Sequence, residues 1–357
     1  MNVKQTVQVS QYTMKRNSNF EFLRIVCMLM IIGGHIILAH DTMYSLSNPD
    51  EIINLLLMPF FYVHVNCFIL ISGYFGIRFK PERLFSMASQ TVFYSVGLTL
   101  FAIILGWHVI VPKTDILRLF PILFKQYWFI TCYVVLYIIS PLLNKWVDSM
   151  EKSEYCRILI VGFVIIYVWP TLSFLVNAPQ FINDSGYGII NFAYLYLLGR
   201  YLRVHFVDNR PSVTYWGGYF FSAMGLFLCQ YALSWLLGFE FTSWQSYNTV
   251  FIFIGSVCFF MAFKSINIHS QVINYCAKPC LAVYIIHLHP DVWDVVTYKI
   301  GLSTFHGVSY LIIVIMLPFA IYLACAVIEI GRSELIGPAE SRLCRYLIKV
   351  ANNEFAK

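Results

Sequence analysis

Long apolar stretches separated by short polar segments repeat along almost the whole chain. Each stretch is about 15 to 24 residues long, and a helix needs about 20 apolar residues to cross the hydrocarbon core of a bilayer. The pattern therefore predicts an all-α integral membrane protein with about ten transmembrane helices. The predicted spans are residues 20–38, 52–75, 84–107, 127–143, 156–176, 188–202, 215–237, 248–263, 278–298 and 308–330.

The polar segments at the two ends divide the chain into three parts. Residues 1–18 are predicted to be a cytoplasmic N-terminal tail, residues 19–331 one polytopic membrane domain, and residues 332–357 a cytoplasmic C-terminal tail. The first apolar stretch contains Arg24 and lacks a small-residue cleavage site, so we do not expect a removable signal peptide. No internal repeat or long linker is evident in the sequence.

The distribution of lysine and arginine predicts the orientation. If the N-terminus is cytoplasmic, 20 of the 24 Lys and Arg residues fall in cytoplasmic segments and 4 fall outside. Positive charge is enriched in the cytoplasmic loops of membrane proteins, so both termini are predicted to be cytoplasmic. Three of the outer cations lie in residues 111–126, which we interpret as an amphipathic segment at the outer interface or as a simple loop.

Composition agrees with this class. The chain is 59% hydrophobic and 12% charged with a mean hydropathy of +0.70, whereas soluble domains are about 25% charged. The net charge of +6 follows from the same cytoplasmic bias and does not indicate nucleic-acid binding. Most of the ten cysteines lie inside apolar stretches. Cys276, Cys280, His287 and His289 do not fit a common zinc spacing, so we predict no metal site.

The first span carries three ionisable residues on one face. Arg24 and His35 are eleven residues apart, which is three helical turns plus about 20°, and Glu21 lies within about 60° of both. Along the helix axis Arg24 and His35 are about 16 Å apart, roughly half the hydrocarbon thickness. Ionisable groups at this depth indicate a functional site. The alternative is a Glu21–Arg24 pair that reaches the interface, and a buried histidine bonded to a neighbouring helix.

Other polar residues in the apolar stretches have two interpretations each. His64 and Asn66 in the second span either line a cavity or join helices. Tyr127 and Trp128 could stack on a sugar ring or form an interfacial aromatic belt. His287 and His289 project about 200° apart, so at most one of them can face a central cavity.

Several of these segments resemble one family. The opening RNSNFEFLRIVCMLMIIGGH is similar to the first helix of the membrane acyltransferase 3 family, in which ten residues separate an arginine from a histidine. Here these residues are Arg24 and His35, and Glu21 matches the acidic residue that the family favours.

The resemblance continues along the chain. FFYVHVNCFILISGYF resembles the second helix of the family, and the following loop carries Lys80 and Arg83 where members often have two basic residues three apart. Lysine stands at the first of these positions, where arginine is commoner. QYWFITCYVVLYIISPLLN and YIIHLHP are also similar to family segments. The second of these favours His287 over His289 as the cavity residue, with a core-packing role as the competing interpretation.

The resemblance implies a multi-pass acyltransferase of the cell membrane. Such an enzyme moves an acetyl or other acyl group from cytoplasmic acetyl-CoA to a hydroxyl of an extracytoplasmic or lipid-linked surface saccharide. His35 would be the general base, and Arg24, Lys80 and Arg83 would bind the donor. Glu21 lies about 21 Å along the helix from His35, so we expect it to orient Arg24 instead. The implied partners are acyl-CoA, a surface polysaccharide or lipid-linked glycan, and the lipid bilayer.

Two other classes would share the composition. A transporter or flippase of saccharide precursors would also have about ten spans, but it is expected to contain inverted repeats and broken helix pairs. A polysaccharide polymerase would carry catalytic residues in large outer loops, whereas the outer loops here are short.

Overall fold

Helices make up all the regular structure in the residues that the computed structural model describes, which are 17–40, 45–175, 178, 182, 184–238 and 244–355. The helices are α1 (Asn19–Ala39), α2 (Pro49–Phe61), α3 (His64–Phe75), α4 (Pro81–Ile104), α5 (Pro112–Arg118), α6 (Trp128–Ser149), α7 (Lys152–Phe163), α8 (Trp169–Leu175), α9 (Ile189–Val204), α10 (Ser212–Leu237), α11 (Val250–Lys264), α12 (Gln271–Cys276), α13 (Cys280–His287), α14 (Pro290–Asp294), α15 (Gly307–Leu335) and α16 (Gly337–Phe355). A π-helical turn, Val164–Val168, joins α7 to α8.

Seven helical segments in the described part are long and apolar enough to cross a membrane. They are Asn19–Ala39, Pro49–Phe75, Pro81–Ile104, Trp128–Ser149, Lys152–Leu175, Ser212–Leu237 and Gly307–Leu335. Each corresponds to one of the ten spans predicted from the sequence. The all-α membrane class is therefore confirmed, while the number of crossings and the position of the termini stay predictions.

The other three predicted spans form shorter helices. Residues 188–202 correspond to α9 with 16 residues, and residues 248–263 correspond to α11 with 15 residues. The predicted span 278–298 is interrupted: α13 ends at His287 and α14 begins at Pro290. Proline has no backbone N–H and clashes with a preceding helical turn, so a new helix begins there.

The second long segment is broken in its middle. α2 ends at Phe61 and α3 begins at His64, five residues after Pro59. The Tyr219 hydroxyl donates a hydrogen bond of 2.9 Å to the carbonyl oxygen of Phe60, so a side chain from α10 satisfies backbone exposed by the break. A break inside a membrane is tolerated where neighbouring helices satisfy the backbone or where a cavity is present.

α3 and α9 approach each other closely at two glycines. A Cβ atom on Gly73 would overlap the carbonyl oxygen of Tyr196, and one on Gly199 would lie 2.5 Å from the carbonyl oxygen of Leu70. Small residues at membrane-helix interfaces allow this backbone approach. The contact fixes α3, and with it His64 and the vestibule residues that follow this helix.

We expect Gly199→Ala to lower the melting temperature of the detergent-solubilised protein, because the methyl group collides with rigid backbone. Overpacking of this kind costs about 1 to 3 kcal/mol. The matched control is Gly331→Ala in α15, where a Cβ would meet nothing within 4 Å. That variant should melt at the same temperature as the parent or higher, since alanine is favoured over glycine in a helix by about 1 kcal/mol. Equal melting temperatures for the two variants would contradict the close packing.

Candidate active site

A cavity of about 260 Å³ lies inside the bundle between α1, α3, α6 and α13. We call it the inner cavity. Its walls are mainly aliphatic and aromatic, and a few polar side chains interrupt them. The polar residues that line it are Arg24, His35, His64, Ser72, Trp128, Tyr133, Tyr247, Lys278 and Tyr284.

A second, wider cavity of about 780 Å³ lies at the end of the bundle that is predicted to face the cytoplasm. It is lined by six cationic side chains, and Glu21 is the one carboxylate among its described lining residues. The cations are Arg24, Arg78, Lys80, Arg83, Arg203 and Lys264. We call this cavity the basic vestibule. Clustered positive charge in a cleft attracts anions and raises their local concentration.

The two cavities share part of their walls. Arg24, Ser72 and Tyr133 line both of them, so the basic vestibule and the inner cavity meet at these side chains. From Arg24, α1 rises by about 16 Å to His35, which lines the inner cavity. The ionisable face of the first helix is therefore a wall common to both cavities.

Glu21 and Arg24 form the local pair that their spacing suggests. Nη1 of Arg24 lies 3.0 Å from Oε2 of Glu21, and the Arg24 side chain is 37% exposed. One carboxylate oxygen of Glu21 thus accepts from one nitrogen of the Arg24 guanidinium. The N–H groups on the other guanidinium nitrogens are available to a ligand.

His35 is hydrogen-bonded to His287, which comes from a helix 252 residues later in the chain. Nδ1 of His35 lies 3.1 Å from Nε2 of His287, and Nδ1 of His287 lies 2.6 Å from the carbonyl oxygen of Val283. His287 is completely buried and lies behind His35 as seen from the inner cavity.

The Val283 carbonyl determines how the two imidazoles share their protons. A carbonyl oxygen can only accept, so Nδ1 of His287 must carry hydrogen and donate. In a neutral ring Nε2 of His287 is then an acceptor, which requires Nδ1 of His35 to be the donor. Nε2 of a neutral His35 is left with a lone pair. The arrangement therefore presents an unprotonated nitrogen on a side chain that lines the inner cavity.

His289 lies on the other side of its segment. Its Nε2 lies 3.0 Å from the Ser95 carbonyl oxygen and 3.1 Å from Oγ1 of Thr99, both on α4. This separation from His287 follows from the angular spacing of residues two apart. His289 thus joins the α13–α14 segment to α4.

The remaining candidates from the sequence have different positions. Trp128 lines the inner cavity, where its ring lies 4.5 Å from that of Tyr187 and 5.8 Å from that of Tyr247. Tyr127 is buried outside the cavity lining and accepts a hydrogen bond of 3.3 Å from the Gln126 amide.

Asn66 also lies outside the described lining of the inner cavity. Its amide donates to the Tyr247 carbonyl oxygen at 3.0 Å, and its side-chain oxygen accepts from Asn191 at 3.4 Å. Asn66 thus connects α3, α9 and the segment before α11. Of the two alternatives for this residue, its contacts match the one in which it joins helices.

Arg203 and Lys264 are vestibule residues that sequence reasoning did not select. Arg203, in the last turn of α9, donates to the Tyr74 hydroxyl at 3.1 Å and lies 5.1 Å from the centre of its ring. Lys264 ends α11. Both are expected in cytoplasmic segments by charge bias alone, and nothing in the local sequence shows that the two helix ends converge.

A polar cluster connects residues 108–118 to α14. His108 Nδ1 lies 2.8 Å from Asp291, and its Nε2 lies 3.1 Å from Asp115. Arg118, at the end of α5, donates to Asp291 at 2.7 Å. Hydrogen bonding to Asp291, and next to Asp115, raises the pKa of His108 above its ordinary value. Arg118, the cation of this cluster, is thus paired with the carboxylates of Asp291 and Asp115.

Another cluster joins the ends of α1, α2 and α15. His40, Asp50 and His306 bring three potential metal-ligand atoms within 4.8 Å of one another, an arrangement that the sequence did not reveal. His306 Nδ1 donates to Asp50 at 2.7 Å, and His40 Nε2 donates to the Phe305 carbonyl oxygen at 2.9 Å. Through these hydrogen bonds the cluster connects the ends of the three helices.

The chain resembles known proteins at the level of a family. No curated protein and no solved structure matches the chain. Residues 17–329 match the model of a family described as an acyltransferase domain. The match includes the first helix, the basic vestibule and α13, and it covers most of the chain. The protein therefore belongs to the membrane acyltransferase 3 family.

Proposed function

We propose that this protein transfers an acetyl group from acetyl-CoA on the cytoplasmic side to a hydroxyl of an extracytoplasmic or lipid-linked surface saccharide. The observation that carries the proposal is the position of His35. His35 has a free ring nitrogen and lines a cavity that meets the basic vestibule at Arg24. Family membership favours this function over a transporter, a flippase or a polysaccharide polymerase.

The basic vestibule has the charge that a nucleotide donor requires. Coenzyme A carries three phosphate groups at its nucleotide end, and guanidinium and ammonium groups bind phosphate through charge-assisted hydrogen bonds. Arg24, Lys80 and Arg83, selected from the sequence, are joined there by Arg78, Arg203 and Lys264. The narrower inner cavity suits the uncharged pantetheine arm, which would carry the thioester from Arg24 towards His35.

The acceptor would enter from the other end of the inner cavity. Trp128 and Tyr247 line the cavity together with His64, the first residue of α3. Flat aromatic surfaces with a polar edge suit the apolar face and hydroxyl groups of a sugar ring. The acceptor hydroxyl would then lie on the far side of His35 from the basic vestibule.

In the proposed reaction Nε2 of His35 removes the proton from the acceptor hydroxyl as its oxygen attacks the thioester carbonyl carbon. The new C–O bond forms while the carbonyl electron pair moves onto oxygen. Collapse of this intermediate breaks the C–S bond, and the protonated His35 returns the proton to the departing thiolate. The products are the O-acetylated saccharide and free coenzyme A. No metal is needed in this sequence of steps.

His287 is a positioning residue in this proposal. By accepting from Nδ1 of His35 it fixes the ring and its tautomer, and it can stabilise the imidazolium that forms when His35 takes a proton. The Val283 carbonyl oxygen accepts from Nδ1 of His287, and this keeps Nε2 of His287 as the acceptor for His35. The pair is a neutral counterpart of the histidine–carboxylate pairs that orient the base in hydrolases.

We expect His35→Ala to reduce transfer by about 10² to 10⁴, the usual contribution of a general base. The measurement is release of free thiol from acetyl-CoA by purified protein supplied with extracted membrane glycolipids, together with base-labile acetate on the surface saccharide of cells carrying each variant. His205→Ala, a histidine outside both cavity linings, is the matched control and should keep the parent rate. A His35→Ala protein that retains most of the activity would exclude His35 as the base.

We expect Arg203→Gln and Lys264→Gln each to raise the KM for acetyl-CoA about 5- to 30-fold with little change in kcat, because each removes a charged partner worth about 1 to 2 kcal/mol. Added salt should raise the KM for acetyl-CoA more in the parent enzyme than in the variants. Lys299→Gln is the control, since this lysine lies 4.1 Å from the Trp107 ring, outside the vestibule. The vestibule assignment is wrong if all three variants share the KM of the parent.

We expect His287→Gln to stay within about tenfold of the parent kcat, whereas His287→Leu should lose about 10²-fold or more. The glutamine side chain can place an acceptor near the position of Nε2, and leucine cannot. Nitrogen NMR of labelled histidine should show His35 protonated at Nδ1 in the parent and in His287→Gln, and a mixture of tautomers in His287→Leu. Equal rates and spectra for the two variants would rule out the positioning role.

A further inference from the structure

Two residues that line the inner cavity each carry a buried polar atom with no hydrogen-bond partner in the described part of the chain. The atoms are the hydroxyl oxygen of Tyr284 and Nδ1 of His64. The two side chains come from different helices, and both residues are almost fully buried. A buried polar group without a partner destabilises the fold, because it has lost its hydrogen bonds to water. A ligand bound in the cavity is one group that can supply the missing partner.

Most other buried tyrosines on neighbouring helices do have a partner. The hydroxyl of Tyr155 donates to the Leu197 carbonyl oxygen at 2.5 Å, and that of Tyr194 donates to the Leu159 carbonyl oxygen at 2.9 Å. Tyr322 donates to the Cys276 carbonyl oxygen at 2.7 Å. The membrane interior contains no bulk water to replace these bonds. The Tyr284 hydroxyl differs from these three, and among the described buried tyrosines Tyr215 shares its lack of a partner but lies outside the lining of the inner cavity.

Tyr284 is close to the proposed base. It lies three residues before His287, which places both side chains on the same face of α13. Its ring centre lies 6.1 Å from that of His287, and the His287 ring centre lies 5.4 Å from that of His35. Tyr284 and His35 both line the inner cavity, whereas His287 stands behind them.

The wall contributed by α3 favours negative charge in the same cavity. α3 is 12 residues long and begins at His64 without a side-chain cap. Its first two residues, His64 and Val65, line the inner cavity. The N-terminal turn of a helix carries partial positive charge from unpaired amides, so it stabilises an anion nearby.

We infer that the Tyr284 hydroxyl donates a hydrogen bond to the carbonyl oxygen of the acyl thioester and stabilises the oxyanion formed on attack. The site would bind the thioester carbonyl, with the first turn of α3 adding its positive potential. This inference rests on the proposed acyl transfer. The acceptor oxygen forms the C–O bond, the carbonyl pair moves to the oxygen facing Tyr284, and His35 holds the proton until the thiolate leaves. Tyr284 keeps its own proton throughout and only donates to the oxyanion.

The test is Tyr284→Phe, compared with the parent in thiol release from acetyl-CoA. Loss of one oxyanion donor lowers kcat by about 10²- to 10³-fold, and we expect this loss with an unchanged KM for acetyl-CoA. The melting temperature should stay the same or rise, because the deleted hydroxyl donates to no acceptor in the described part of the chain. Full kcat in Tyr284→Phe would overturn the inference and leave Tyr284 as a packing residue beside Phe129 and Tyr127.

Tyr194→Phe is the matched control, because its hydroxyl is bonded to protein and Tyr194 lies outside the described lining of the inner cavity. It should melt at a lower temperature and keep its kcat, which is the opposite of the result expected for Tyr284→Phe. A lower melting temperature with unchanged kcat in Tyr284→Phe would also overturn the inference.

The failure of this inference and that of the proposed function are distinguishable. If the parent protein releases no thiol and adds no acetate to any saccharide, the proposed function fails and the oxyanion site with it. If the parent is active and His35→Ala is inactive while Tyr284→Phe keeps full kcat, the proposed function stands and only the oxyanion site is wrong.

Discussion

The hydrogen bond between His35 and His287 is the interaction on which the rest of the site depends. A polar ring at membrane depth must find its partners inside the protein, because lipid offers none. The Val283 carbonyl accepts from His287, and His287 accepts from His35. This order satisfies three polar atoms and leaves one ring nitrogen of His35 with a lone pair. The bonds that make the buried histidines tolerable therefore also determine which nitrogen can take a proton.

Charge is arranged differently at the two ends of the bundle. Six cations line the basic vestibule with Glu21 as the one described carboxylate, so the vestibule keeps a net positive potential. At the other end, His108 and Arg118 are matched by Asp115 and Asp291. Paired charges cancel at a distance, whereas unmatched charges in a cleft attract a counter-ion. An anion is thus favoured at one end, in agreement with the proposed coenzyme A donor, and the aromatic walls of the inner cavity suit the proposed uncharged acceptor.

Sequence reasoning predicted which residues of α1 lie near one another. Arg24 and His35 share a face because helical angles depend only on spacing, and Glu21 reaches Arg24 for the same reason. It was weaker where a residue has two interpretations. Asn66 was expected in a cavity or between helices, and its bonds to Tyr247 and Asn191 match the second. Tyr284 and Arg203 were not selected. A tyrosine in an apolar helix and an arginine at a helix end are both common, and the neighbouring residues do not show which part of the protein the side chain faces.

The sequence alone determined the all-helical membrane class and the ionisable face of α1. Both depend on local quantities, namely the hydropathy of each stretch and the angle between residues of one helix. The tertiary structure decided which helices meet. It placed His287 against His35 across 252 residues, brought Arg203 and Lys264 to one vestibule, and left the Tyr284 hydroxyl unpaired beside the base. These features depend on how helices pack, which is the sum of many weak contacts between distant segments and leaves no signal at any single position.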